Sequence, residues 1–207
     1  MVKAIINDFA ENCYIVYNDR HAYIIDPGSN TESVERFIES EALTVLGILL
    51  THGHYDHISG VNRMVETYGV DVFVHAFDRD FLFDPNLNLS SQMDQIFRIE
   101  SKHHVKTIVH GATFSLGTEV IQAYHTPGHS RGGLSFHYQN MVFSGDALFK
   151  ETIGRTDLPT GNHDQLIETI IQMVDMFDDN TVVYPGHGPV TTIAHEKTHN
   201  PFILDKN

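Results

Sequence analysis

Basic residues are scarce in this sequence. Lysine and arginine together number 13 against 27 acidic residues, a formal net charge of -14 over 207 residues. A nucleic-acid partner would want a basic stripe, and none is present. An anionic small molecule is not excluded, because bound divalent metals dominate the field around them. Cysteine is rarer still. Cys13 stands alone, so no intrachain disulfide can form. Nothing near it in sequence would activate the thiol, and it reads as a buried small residue and not a nucleophile. Long apolar runs are missing too. No stretch approaches a membrane span, and Met1 to Glu11 has no apolar segment after a basic start, so no export signal is expected. The expectation is a cytoplasmic protein with no membrane partner.

Hydrophobic residues make up 41% of the chain, enough for a sizeable core without disulfides. A single domain over residues 1–207 follows from the length. Asn12 to Tyr17 and Ala22 to Asp26 are apolar runs flanking Asn18-Asp19-Arg20-His21, a hairpin signal. Glu32 to Ser40 carries Val34, Phe37 and Ile38 at helical spacing, with Ser29 to Thr31 able to cap it. Val45 to Leu50 and Val70 to Val74 read as strands. His104 to His110 and Glu119 to His125 are strand-like, and Gly132 to Tyr138 with Met141 to Ser144 reads as a second hairpin. Phe149 to Gly161 reads as loop. His163 to Phe177 is the clearest helix, and Thr181 to Tyr184 and Thr192 to His199 read as the last strand and helix. Taken alone, the pattern is a mixed α/β single domain. Residues 75–102 are the least regular stretch. Phe77, Phe81, Leu82 and Phe83 suggest a short helix, and Met93, Ile96 and Phe97 recur at helical spacing. The stretch is either a packing excursion or an aromatic wall beside a substrate.

The chemistry concentrates in Thr51-His52-Gly53-His54-Tyr55-Asp56-His57. The preceding apolar strand leaves the core extended, so His52, His54 and Asp56 are expected on one face and Tyr55 on the other. His57 falls where a helix with Val61, Met64, Val65 and Tyr68 on its stripe begins. Imidazole and carboxylate at such density suit zinc, iron or manganese. Further candidates sit in turns downstream: His129 in Thr126-Pro127-Gly128-His129-Ser130, Asp146 in Ser144-Gly145-Asp146, and His187 in Pro185-Gly186-His187-Gly188-Pro189. Seven such residues are too many for one tetrahedral zinc. Asp26, at a strand end, is the expected partner of a metal-binding histidine and not itself a ligand.

His52-x-His54-x-Asp56-His57, with His129, Asp146 and His187 in that order, resembles the signature of the metallo-β-lactamase superfamily. Gly154-Arg155-Thr156-Asp157 and the ending Thr191 to Phe202 look most like the short bacterial glyoxalase II-type hydrolases. The resemblance implies a four-layer αβ/βα metallo-β-lactamase sandwich. It implies two divalent metal ions, zinc first, with iron or manganese also suited. His52, His54 and His129 would hold the first ion, Asp56, His57 and His187 the second, and Asp146 would bridge. The implied nucleophile is a hydroxide between the metals, with Asp56 or Asp146 moving the proton. Arg155 is the implied substrate contact, or else a structural partner of Asp157. The implied substrate is a small-molecule S-lactoyl or other hydroxyacyl thioester, cleaved to a hydroxy acid and a thiol. The thiol stays open between glutathione and another small thiol.

Two other chemistries resemble the same scaffold. Persulfide dioxygenases use one iron on the equivalents of His52, His129 and Asp146. Lactonases use the same ligands on an ester. A secreted β-lactamase is not expected, since no export signal is seen.

Overall fold

In the computed structural model, which describes residues 1–204, the chain alternates short strands with helices in two similar halves. The first half runs β1 (Val2–Ile6), β2 (Asn12–Tyr17), β3 (His21–Ile25), α1 (Thr31–Ser40), β4 (Thr44–Leu49), α2 (Tyr55–Ile58), α3 (Val61–Tyr68), β5 (Val72–His75) and β6 (Val105–Ile108). The second runs β7 (Thr113–Leu116), β8 (Glu119–His125), β9 (Leu134–Tyr138), β10 (Met141–Gly145), β11 (Leu148–Phe149), β12 (Thr152–Ile153), α4 (His163–Met176), β13 (Val182–Pro185), β14 (Thr191–Thr192), α5 (Ile193–His199) and α6 (Pro201–Leu204). Each half builds a mixed six-stranded sheet, in the orders β1-β2-β3-β4-β5-β6 and β14-β13-β10-β9-β8-β7.

Strand periodicity explains the layers. Successive side chains of a strand face opposite ways. In β2, Cys13 and Ile15 join Ile24, Ile48, Val34, Ile38, Met64 and Val65 on the helix-covered face of the first sheet. Tyr14 and Val16 instead join Leu49, Phe114, Phe136 and Phe143 between the two sheets. The outer face of the second sheet, with Val142 and Val183, is covered by Leu166, Ile170 and Val174 of α4 and Ile193 of α5. Helix, sheet, sheet, helix is the expected αβ/βα sandwich, in one domain. Strands buried on both faces read as unbroken apolar runs, which is why β2 and β4 lack alternation in sequence. A core side chain such as Leu49, with no exposed surface, contributes roughly 1.5–3 kcal/mol by leaving water.

Several expectations are corrected. Asp56 does not continue an extended chain: Tyr55 already starts the helical turn α2, and the helix then breaks at Ser59 and Gly60 before α3. Residues 93–99 form no helix despite the spacing of Met93, Ile96 and Phe97. Asn88 and Ser90 capture this segment's backbone instead: Asn88 Nδ2 donates to the Phe81 carbonyl and Ser90 Oγ accepts from Phe97 N–H, a local competition that polar side chains win over helix. Strands β1, β7 and β14 were not expected. The stretch after Asp146, read as loop, contains the small β11–β12 pair. α1 begins without a side-chain cap. Among the described residues, no helix is long and apolar enough to cross a membrane.

Candidate metal centre

The candidate residues lie where the two sheets meet, at strand ends and the turns that follow. β4 delivers Thr51, His52 and His54. The turn α2 then presents Asp56 and His57. β8 leads to His129, β10 to Asp146 and β13 to His187. Gly145, at φ +51, takes the left-handed turn that lets Asp146 leave β10, and a Cβ there would strike the Thr51 side chain.

Two compact groups result. Donor atoms of His52, His54 and His129 lie within 4.8 Å of one another, as do those of Asp56, His57 and His187. Asp146 touches both. Its Oδ1 is 3.3 Å from His57 Nε2, and its Oδ2 is 3.6 Å from His129 Nε2 and 3.7 Å from His187 Nε2. All seven residues predicted from sequence are thus brought together. A third grouping, Asp26 with His52 and His57, also satisfies the distance condition. Its carboxylate is already engaged, because Oδ1 accepts from Thr51 N–H at 2.7 Å and Oδ2 from Thr51 Oγ1 and His57 Nδ1.

The ring nitrogens facing away from the centre are held by acceptors. His57 Nδ1 donates to Asp26 Oδ2 at 2.9 Å, His129 Nδ1 to the Arg155 carbonyl at 2.7 Å, and His187 Nδ1 to the Ala10 carbonyl at 3.1 Å. An oxygen acceptor takes the proton of Nδ1, which leaves each Nε2 turned toward the other donors of the cluster, where His187 Nε2 lies 3.1 Å from Asp56 Oδ2. Asp26 does this from φ +50, a left-handed conformation that aspartate tolerates better than most residues and that its hydrogen bonds fix in place.

Burial and mutual repulsion set the protonation states. Burial, then the neighbouring histidines, pushes His52 well down and His54 down to about 3. Burial opposes the charge on His57, but Asp56 and Asp146 overcome it and raise His57 well above the usual histidine range. Burial likewise opposes ionisation of Asp146, and His57 and His129 overcome it, so Asp146 is held well below the carboxylate range. The His52 and His54 rings are neutral donors and the carboxylates are anions, the states that metal ligation requires.

Four buried atoms in this cluster, Nε2 of His52, His54 and His57 and Oδ1 of Asp146, have no hydrogen-bond partner among the described residues. Orphaned buried polar atoms are costly. Here they belong to the two donor groups and to the carboxylate between them, and imidazole with carboxylate is the donor set of a divalent transition-metal ion. The residues fit such an ion.

Sequence reading missed three supports. Glu11 is fully buried with its Oε1 3.8 Å from His57 Nδ1, and burial raises its pKa well above the usual value. Asn7 Nδ2 donates to Glu11 Oε2 and to the Asp56 carbonyl. Asp78 accepts from Ser130 Oγ at 2.6 Å and Gly132 N–H at 2.7 Å, fixing the turn that carries His129. Nothing in their local sequence marks them; only the pairing of distant loops does.

A cavity of about 440 Å³ opens onto the centre, lined by His54, Asp56, His129, Asp146 and His187 at its base and by Arg155 and apolar side chains on its walls. Arg155 is largely exposed, and its Nε and Nη2 donate to the two oxygens of Asp157, both at 2.7 Å.

The metallo-β-lactamase superfamily model matches residues 6–187. The chain belongs to the metallo-β-lactamase superfamily. It is 32% identical to hydroxyacylglutathione hydrolase GloC of Haemophilus influenzae, over 98% of this chain and 97% of that one. Among solved structures it is similar to the BLEG-1 B3 metallo-β-lactamase, with a TM-score of 0.90, 39% identity and coverage of 98% and 99% of the two chains. It is also similar to TTHA1623 in a di-iron-bound form, with a TM-score of 0.86, 32% identity and coverage of 97% and 99%. The superfamily and its relatives make this a metal-dependent hydrolase by descent, with His and Asp clusters suited to divalent metal.

Proposed function

We propose that the protein is a glyoxalase II-like thioester hydrolase acting on S-lactoyl or other hydroxyacyl thiol conjugates. The observation that carries the proposal is the position of the Asp146 carboxylate, within reach of both histidine groups. That arrangement suits two ions, with His52, His54 and His129 holding one, Asp56, His57 and His187 the other, and Asp146 shared. Zinc or iron suits the donors, and the di-iron form of TTHA1623 makes iron a real candidate beside zinc. The name of the GloC relative supports the substrate class.

When bound, the ions would polarise the acyl carbonyl and acidify water toward a pKa of about 7. The chain's own residues supply the rest. The walls of the cavity hold the thioester and exclude bulk water. Arg155, on the cavity wall, keeps a hydrogen-bonding edge for the thiol arm. Hydrolysis adds a water oxygen to the acyl carbon and breaks the carbon–sulfur bond. A thiolate leaves readily, so a strong general acid is not needed. Asp56, partly exposed on the cavity and 3.1 Å from His187, is placed to pass the proton on. Asp146 is its alternative. We read residues 1–207 as one hydrolase domain, cytoplasmic, with a small-molecule substrate and neither nucleic acid nor membrane as partner. The charge of -14 supports the second point.

The test is thiol release from S-lactoyl thioesters under anaerobic conditions, with metal content measured on the same protein. Turnover without oxygen supports the hydrolase. One bound iron, no anaerobic thiol release and oxygen uptake with a persulfide would establish a dioxygenase. β-Lactam hydrolysis is the second reading, favoured by the 39% identity to BLEG-1. A β-lactam assay run alongside separates it.

A further inference from the structure

The walls of the cavity bear on the thiol half of the substrate. Phe9, Tyr55, Leu89, Met93, Phe149 and Leu158 form them. Phe9 and Met93 are each 40% exposed, so apolar surface reaches the mouth and not only the depth of the cavity. Phe9 is fixed there. Its ring packs edge-on against Tyr55 with centroids 5.6 Å apart, and Asn7 Oδ1 accepts its N–H at 2.9 Å. Asp56 and Asp146 lie at the base of the cavity, among the candidate metal donors. Arg155 is the cation that lines it. Its charge is balanced in place, because Asp157 takes a two-point grip on the guanidinium, the strongest geometry for such a pair.

We infer that the thiol arm of the substrate is uncharged and largely apolar, and that anionic arms are disfavoured. This rests on the thioester-hydrolase reading above. A carboxylate on the arm would lose water against an apolar wall and find Arg155 already paired with Asp157. An arm of methylenes and amides loses little on entry, and an amide carbonyl can still accept from the guanidinium edge that Asp157 does not use. Bound ions would draw the reacting carbonyl in either case, so the discrimination acts on the arm and not on the acyl group.

The test compares S-lactoyl thioesters that share the acyl group and differ in the arm: N-acetylcysteamine, which is neutral, and 3-mercaptopropionate, an anion of similar reach. The neutral arm is expected to give kcat/KM higher by about tenfold or more, carried mainly by KM. Asp157→Asn releases Arg155 and should narrow the gap by lowering KM for the anionic arm more than for the neutral one. Met93→Lys, which adds a cation at the mouth, should do the same. Equal or better turnover of the anionic arm by the unmodified protein overturns the inference and leaves the hydrolase reading standing. Failure to cleave either thioester overturns both.

Discussion

His57 Nδ1 donates to Asp26 Oδ2 across 2.9 Å in a pocket where neither side chain meets solvent to more than 2%. The same carboxylate binds the backbone and hydroxyl of Thr51. One aspartate at the end of β3 therefore orients a histidine on α2 and pins the strand end that carries His52. We predict that Asp26→Asn weakens metal binding by about 10- to 100-fold, the usual cost of losing the outer partner of a ligand histidine. Competition against a chelator measures it. An unchanged affinity would show that packing alone fixes the His57 ring.

Asp146→Ala is expected to lower bound metal and abolish hydrolysis, because Asp26, the other carboxylate near both histidine groups, is already engaged by Thr51 and His57 Nδ1. Elemental analysis beside a turnover assay checks it. A variant that retained two ions and near-normal turnover would end the bridging assignment.

His187→Ala should lower the metal content toward one ion per chain and severely reduce anaerobic thioester hydrolysis. His187 belongs to one histidine group only, so the other keeps its donors. Loss of both ions in this variant would mean that the groups load as a unit.

His75 yields a pH prediction outside the centre. Its ring stacks on His125 at 4.2 Å, and its Nδ1 accepts the Phe77 N–H at 3.2 Å. Burial, then His125, pushes its pKa down to about 4. The unfolded chain takes up a proton near pH 6.5 and the folded one does not. The neutral ring's contribution is therefore intact above pH 6.5 and declines as pH falls toward about 4. The melting temperature of His75→Leu should fall less than that of the unmodified protein between pH 7 and 5. Parallel slopes would remove His75 from the acid response.

Most of this fold could be read from the chain. The hairpin β2–β3, the helix α4 and the strand before His52 have unbroken or periodic apolar patterns, and buried strands and amphipathic helices require them. Five of the seven candidate ligands were legible because they sit in a glycine turn or just past a strand end, and Asp56 and His57 because they follow directly on His52 and His54. What escaped has a common cause. β7 is only four residues long, too short to show a period. Asp56 obeys the local turn of α2 and not the alternation of the strand before it. The pairing of Arg155 with Asp157 was one of two readings of that loop, and only the fold of β11–β12 decides where the two side chains meet. Glu11 and Asn7 gain their roles from contacts with Asp56 and His57, far along the chain, so their own neighbours carry no trace of them.

Both histidine groups draw on both sheets: His129 crosses to His52 and His54, and His187 to Asp56 and His57. Neither of these two groups is complete within one half of the chain. Loading of either group is therefore expected to follow docking of the halves through Tyr14, Leu49, Phe136 and Phe143. An ion held by either group would work as a clasp, with slow release wherever escape requires the sheets to part. A nascent chain with only the first half emerged from the ribosome would hold histidines in abundance and still lack His129, Asp146 and His187.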